Sequence, residues 1–143
     1  MKDNRQLTIL LVEDNPMDLD LTLRAFKRIN CENPIEVARD GAEVMELLET
    51  WKNGAPIPGT ILLDIKLPKV TGLEVLKVIR DTPLTKNIPI IILTSSTDGS
   101  DLRSAYDSGA NSYIIKPIDY EKFLEFIELF YNYWVMLNFV PEI

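Results

Sequence analysis

Five short apolar runs alternate along this chain with segments whose apolar residues recur at helical spacing. The runs are rich in β-branched residues and lie at 7–12, 35–38, 61–63, 88–93 and 113–115. Short runs without alternating polar positions are typical of strands that are buried on both faces of a sheet. Because successive parallel strands must be joined by a crossover over one face, the alternation predicts a parallel sheet with helices on both sides.

The intervening segments carry helix signals. Asn15 and Pro16 offer a cap and a proline for a first helical turn, and Asp119 offers a cap for the last helix. At 143 residues the chain is close to the ~150 that one domain typically takes. We predict a single α/β domain, a doubly wound sheet of five parallel strands at 7–129, with an N-terminal extension at 1–6 and an aromatic extension of the last helix at 130–143.

Composition removes several classes of function. The chain contains no histidine, which excludes Ser-His-Asp triads, Cys-His pairs and histidine-ligated metals. Its net charge of −7 disfavours nucleic acid and anionic lipid. Cys31 is the single cysteine and forms no internal disulfide, and the apolar stretch at 129–141 is shorter than the ~20 residues that span a bilayer. We therefore expect a cytoplasmic protein that binds neither nucleic acid nor membrane.

Polar residues follow four of the five predicted strands. The first run ends in Glu13 and Asp14, and the third ends in Asp64. The carboxyl ends of the last two strands carry a hydroxyl pair and a lysine, which are Thr94, Ser95 and Lys116. Each residue alone has an ordinary explanation as a cap, a loop residue or a solvated charge. Ligands bind at this edge of parallel sheets, and three carboxylates brought together there repel one another unless a cation holds them.

A small set of hard oxygen ligands fits Mg²⁺, or Mn²⁺ in its place. A carboxylate beside such an ion can attack a phosphoryl group and form an aspartyl phosphate, while the metal and a lysine neutralise the developing charge. The residues therefore predict a divalent-cation site with a nucleophilic carboxylate, and Thr94 as a donor to a phosphoryl oxygen.

Four sequence blocks, in order, resemble the receiver domain of two-component response regulators. They read ILLVEDN at 9–15, LLDIKLPKVTGL at 62–73, ILTS at 92–95 and GANSYIIKP at 109–117. The resemblance covers residues 7 to about 129 and implies a flavodoxin-like fold. It also implies a response regulator that takes a phosphoryl group from a histidine kinase and signals through contact with another protein.

Carried over to this sequence, the resemblance makes Asp64 the phosphoacceptor. Asp14 would bind Mg²⁺ directly and Glu13 through water, with Asp64 and the backbone carbonyl of Lys66 as the remaining protein ligands. Lys116 would pair with the phosphoryl group.

The resemblance also assigns a switch. Thr94 would move toward the phosphoryl group, and Tyr113 would rotate from solvent into the space that Thr94 vacates. Ser95 is small and leaves the site open to a donor. The bond between Lys116 and Pro117 is expected to be cis, as it often is in the family.

Two positions depart from the family pattern. Lys66 places a cation two residues after the phosphoacceptor, where a neutral or small polar side chain is common. Ser96, two residues after Thr94, is too small to orient a hydrolytic water. Lys66 would weaken metal binding, shield the acyl phosphate from water or point into solvent. On the second of these readings, both departures predict slow self-dephosphorylation.

The end of the chain is aromatic: eight of its 12 aromatic residues lie between Tyr120 and Phe139. This tail either folds back onto its own domain or forms a homodimer, for which the candidate interface residues are Phe126, Phe130, Tyr133, Trp134 and Leu137. The tail also resembles that of the phytochrome-associated single-domain response regulators, which implies a phytochrome-type photoreceptor kinase as partner.

Two alternatives remain open at this point. A Mg²⁺-dependent phosphatase with an aspartyl nucleophile would use similar chemistry, but it needs a second acid at the position that Lys66 holds. A receiver-like binding module would work without phosphorylation, which the presence of Asp14, Asp64, Thr94 and Lys116 disfavours.

Overall fold

The computed structural model describes residues 2–141, with side chains from residue 5 onward. The two ends of the predicted extensions, residue 1 and residues 142–143, lie outside the described residues. The strands are β1 (Lys2–Asp3), β2 (Ile9–Val12), β3 (Ile35–Ala38), β4 (Thr60–Leu63), β5 (Ile90–Thr94), β6 (Ser112–Ile115) and β7 (Phe139–Val140). The helices are α1 (Pro16–Arg28), α2 (Gly41–Lys52), α3 (Gly72–Asp81), α4 (Gly99–Asp107) and α5 (Tyr120–Phe130).

Five parallel strands form the main sheet, in the order β3-β2-β4-β5-β6. The strand order reverses at β2, because the chain first adds β3 on one side and then crosses to β4 on the other. Val12 pairs with Ala38 and with Leu63, so these three strands end at the same level. A ligand crevice is expected at the carboxyl ends of strands on either side of such a reversal. The predicted doubly wound sheet is confirmed.

Two apolar clusters cover the two faces of the sheet. Leu10 and Val12 point into a cluster with α2, α3 and α4, whereas Ile9 and Leu11 point into a second cluster with α1 and α5. Every residue of β2 and β4 is therefore buried, as the unbroken apolar runs predict. The two-sided core fixes the height at which each strand ends and hence the position of the residues that follow.

The aromatic tail packs back onto its own domain. After α5 the chain makes a π-helical turn (Tyr131–Val135), and β7 then pairs with β1 in a small antiparallel sheet. Val135 and Val140 are buried, while large apolar side chains remain exposed on the outer surface at Leu129, Tyr133, Met136, Leu137 and Phe139. None of the helices in the described part of the chain is long and apolar enough to cross a membrane.

Candidate functional site

Three carboxylates converge where β2 and β4 end. The backbone N–H of Glu13 donates to Ala38 O at 3.0 Å and that of Asp64 donates to Val12 O at 3.1 Å, so both residues are held at the edge of the sheet. The ligand oxygens of Glu13, Asp14 and Asp64 lie within 4.8 Å of one another. Glu13 and Asp64 are buried, and Asp14 is exposed. The structure thus brings together the acids that the sequence predicts to be close.

Lys116 reaches this cluster from the end of β6. Its backbone N–H donates to Thr94 O at 2.8 Å, and its ammonium contacts three carboxylates. The distances from Nζ are 2.5 Å to Oε1 of Glu13, 2.9 Å to Oδ2 of Asp18 and 3.0 Å to Oδ2 of Asp64. The lysine side chain is 11% exposed, so these contacts are poorly screened by solvent.

Asp18 is the site residue that sequence reasoning missed. Asn15 caps α1 by accepting hydrogen bonds from the backbone of Met17 and Asp18, and Pro16 occupies the first helical position. This geometry points Asp18, the acid in the first turn of α1, toward Lys116. The sequence does show an acid three residues after the cap residue Asn15. Acids are common in the first turn of helices because they interact favourably with the helix dipole, so this pattern alone does not indicate a site residue.

The described site carries more negative than positive charge, because the carboxylates of Glu13, Asp14, Asp18 and Asp64 lie around the single ammonium of Lys116. Burial raises the pKa of Glu13 to about 7, although its contacts with Lys116 act in the opposite direction. Burial alone would lower the pKa of Lys116, but the hydrogen bonds to Glu13 and Asp18 and the charge of Asp64 outweigh it and raise that pKa. The ammonium therefore remains charged, and the excess of negative charge favours a further cation.

The carboxylate oxygens suit a hard divalent cation. Mg²⁺ is usually held by one or two carboxylates and completes its octahedral shell with water or phosphate oxygens. The exposed Asp14 and the buried Asp64 supply such ligands, and Glu13 lies close enough to act directly or through water. The acids present therefore fit the predicted metal. The backbone N–H of Lys66 donates to Oδ1 of Asp64 at 3.1 Å, and its carbonyl as a ligand stays a prediction.

Thr94 and Tyr113 are linked through Ser96. The hydroxyl of Thr94 is completely buried and accepts from the backbone N–H of Ser96 at 3.3 Å. The hydroxyl of Tyr113 donates to the carbonyl of the same Ser96 at 3.1 Å. Ser96 Oγ in turn contacts Asp101 Oδ2 at 2.5 Å, at the start of α4. Tyr113 is half-buried, and its rotation on phosphorylation stays a prediction; Ser95 is exposed beside Thr94.

One sequence-based expectation is wrong. The Lys116–Pro117 bond is trans, as are the other described peptide bonds. Trans is the intrinsically preferred isomer, and Lys116 reaches its three partners with it. Phe130 is 3% exposed and packs edge-on against Phe26 at a ring-centroid distance of 6.0 Å, so most of its side chain lies in the core; its edge lines a groove, and its place in an interface stays a prediction.

The other candidate interface residues differ in accessibility. Tyr133 and Leu137 are exposed, whereas Phe126 and Trp134 are half-buried. Phe126 and Trp134 line a shallow groove with Leu129 at the edge of the sheet. The accessible part of the predicted interface is therefore the surface that carries Tyr133 and Leu137, which we call the outer side of the tail.

The fold, the acidic cluster and the lysine define a class of protein. The profile of the response regulator receiver domain matches residues 9–128, and this chain belongs to that family. Receiver domains are in general signalling modules and not enzymes, which disfavours the phosphatase alternative.

Individual relatives make the comparison more specific. The probable methanogenesis regulatory protein FilR2 of Methanothrix harundinacea is 41% identical over 134 residues, which are 93% of this chain and 86% of that protein. Response regulator Rcp1 of Synechocystis sp. is 31% identical over 143 residues, covering 98% of this chain and 97% of its own length.

Solved structures agree with the sequence relatives. The phosphorylated cyanobacterial phytochrome response regulator RcpA superposes with a TM-score of 0.88 at 32% identity, over 96% of this chain and 99% of that one. The Mn²⁺-bound form of Rcp1 superposes with a TM-score of 0.85 at 31% identity, over 95% of this chain and 99% of that one. The chain is therefore a response regulator receiver domain similar in fold and sequence to the phytochrome-associated single-domain regulators.

Proposed function

We propose that this chain accepts a phosphoryl group on Asp64 from a phosphohistidine of a partner kinase, in a Mg²⁺-dependent reaction, and signals by a change in its protein contacts. The observation that carries the proposal is the contact of 3.0 Å between Nζ of Lys116 and Oδ2 of Asp64, beside the acidic cluster. A nucleophilic carboxylate, a cation site and a fixed ammonium are the parts that in-line phosphoryl transfer requires.

In the proposed reaction, a carboxylate oxygen of Asp64 forms a bond to phosphorus while the bond from phosphorus to the histidine nitrogen breaks. The electron pair of that bond leaves with the histidine of the kinase. Bound Mg²⁺ would be held by Asp14 and Asp64, with Glu13 close by, and would neutralise charge on the phosphoryl oxygens. Lys116 holds a positive charge at the acceptor and donates to a phosphoryl oxygen once the group has been transferred.

The proposed switch runs through Ser96. A phosphoryl group adds about −1.5 to −2 charges and three strong acceptor oxygens. Thr94 gives up its contact with the N–H of Ser96 when its hydroxyl turns toward that group. Because Ser96 also holds Tyr113 and Asp101, the loss of this contact changes the surface formed by α4 and β6.

Acetyl phosphate tests the proposal without a kinase. The wild-type protein should gain the mass of one phosphoryl group in the presence of Mg²⁺ and should remain unmodified when the metal is chelated. The Asp64→Asn variant should remain unmodified in both conditions. An unmodified wild type with Mg²⁺ would favour a binding module that works without phosphorylation.

The partner proposed first is a phytochrome-type sensor histidine kinase in the cytoplasm. This part rests on the likeness to RcpA and Rcp1 alone. The relation to FilR2 makes a kinase without a photoreceptor the alternative. Phosphotransfer time courses with purified kinases of both types decide between them, because a cognate kinase transfers faster than a non-cognate one at equal concentration.

We also propose a homodimer through the outer side of the tail, where Tyr133 and Leu137 are exposed. Apolar side chains gathered on one surface are typical of association sites. In sedimentation experiments Leu137→Arg should shift the protein toward monomer. Met17→Arg, at an exposed apolar residue on α1, is the matched control and should leave the dimer intact. A monomeric wild type would contradict the dimer.

A further inference from the structure

The carboxylate of Asp18 contacts the site without belonging to the acidic cluster. That cluster consists of Glu13, Asp14 and Asp64. Asp18 lies on α1 and contacts Nζ of Lys116 at 2.9 Å. We propose that Asp18 is a positioning residue, which holds the ammonium of Lys116 beside Asp64 while the phosphoryl group is transferred. The inference rests on the proposed function of Asp64.

The number of donors on the lysine supports this role. An ammonium has three N–H groups on a flexible four-carbon stem. In this structure three carboxylates surround it, one each from Glu13, Asp18 and Asp64. The contact with Asp18 therefore removes freedom that the lysine would otherwise keep, and it leaves one N–H for the acceptor carboxylate.

The other two carboxylate partners of Lys116 have further roles in the proposed reaction. Glu13 and Asp64 are both members of the proposed metal site, so Lys116 shares them with the cation. Phosphorylation then converts the carboxylate of Asp64 into an acyl phosphate, a mixed anhydride. Among the carboxylate partners of the ammonium in the described part of the chain, Asp18 is the one that neither event engages.

Asp18 lies on a rigid turn of the helix. Asp18 lies in the first turn of α1, directly after the cap formed by Asn15 and the proline at the first position. Its backbone carbonyl accepts a hydrogen bond from Thr22 Oγ1 at 2.7 Å. Leu19, the next residue, is buried in the core. A side chain on such a turn is well suited to fix a mobile lysine.

The test compares initial rates of phosphorylation by acetyl phosphate at saturating Mg²⁺. Asp18→Asn should lower the rate by roughly tenfold, the effect of losing one charge-assisted hydrogen bond in the transition state. Asp18→Glu restores the carboxylate and should recover part of the rate, which a merely structural loss would not explain. Asp20→Asn is the matched control, because it removes the same charge from the same helix at an exposed residue that pairs with Arg24.

The results distinguish a failure of the role of Asp18 from a failure of Asp64 as the phosphoacceptor. All variants are assayed well below their midpoints of thermal unfolding, so that the rates refer to folded protein. The inference is overturned if Asp18→Asn reacts as fast as Asp20→Asn, or if Asp18→Glu is as slow as Asp18→Asn. A wild type that does not react at Asp64 overturns the proposed function as well.

Discussion

Nζ of Lys116 lies 3.0 Å from Oδ2 of Asp64, and this contact joins the ends of β6 and β4 across the intervening strand β5. The two residues are 52 positions apart in the sequence. The same ammonium also contacts Glu13, which follows β2, and Asp18, so a single lysine joins the ends of three strands and the first turn of α1. The site is therefore part of what stabilises this edge of the domain.

Removing the lysine should destabilise the metal-free protein. Lys116→Met keeps the length of the side chain but leaves the buried carboxylates of Glu13 and Asp64 without their cation. We expect the free energy of unfolding in urea to fall by about 2 kcal/mol, a value set by the loss of hydrogen bonds to charged groups. Mg²⁺ should stabilise this variant more than it stabilises the wild type, because it replaces the missing charge.

Lys122→Met is the control for that experiment, since Lys122 is an exposed lysine on α5. It should unfold as the wild type does, with and without Mg²⁺. Equal stability of Lys116→Met and Lys122→Met in both conditions would show that the lysine does not compensate the carboxylates.

The glycine that begins α3 should tolerate no side chain. A Cβ at Gly72 would lie 2.2 Å from the backbone oxygen of Asp64 and 2.4 Å from Cα of Ile65. Backbone atoms cannot rotate away, so Gly72→Ala should lower the free energy of unfolding by about 3 kcal/mol and displace Asp64. Gly99→Ala is the control, because a Cβ there meets nothing within 4 Å and Gly99 also begins a helix.

Urea denaturation distinguishes the two glycine variants. Gly99→Ala should be as stable as the wild type or slightly more stable, since alanine favours helix over glycine. A Gly72→Ala variant with the stability of Gly99→Ala would mean that the segment after Asp64 moves freely.

Lys66 should prolong the phosphorylated state. Its backbone N–H contacts Asp64, and its side chain is exposed. The pKa of Asp98 is held below its usual value mainly by hydrogen bonds from Ser100 and, to a smaller extent, by the charge of Lys66. We expect the same positive charge, two residues after Asp64, to attract the phosphoryl oxygens.

Lys66→Asn should shorten the lifetime of the aspartyl phosphate by roughly two- to fivefold, which corresponds to the ~0.5–1 kcal/mol of an exposed charge pair. The decay is followed after removal of the donor. Lys77→Asn removes an exposed lysine from α3 and serves as the control. An unchanged lifetime in Lys66→Asn would reject this role.

Much of the fold could be predicted from the sequence because strands buried on both faces leave unbroken apolar runs. The convergence of Glu13, Asp14 and Asp64 could be predicted too, since parallel strands end at one edge of the sheet. The role of Asp18 could not: it lies 98 positions from Lys116, and their contact depends on the angle at which α1 packs on the sheet.

The tail shows a different limit of sequence reasoning. Its apolar residues surround the helix on most sides, and the pattern does not distinguish burial within one chain from burial against a second. Which tail residues are buried within the chain depends on the packing of each side chain. Phe130 is buried against Phe26, whereas Leu137 is exposed. The Lys116–Pro117 bond has the intrinsically preferred trans isomer, whereas the resemblance to the family predicts cis.

The central claim is that Asp64 is the residue that receives the phosphoryl group. Borohydride reduces an aspartyl phosphate to homoserine, so peptide mass spectrometry after reaction with acetyl phosphate and Mg²⁺, followed by reduction, identifies the modified residue. We predict homoserine at position 64 and unmodified aspartate at Asp14 and Asp18. Homoserine at Asp14 or Asp18, or none at any position in a protein that has reacted with the donor, would contradict the account.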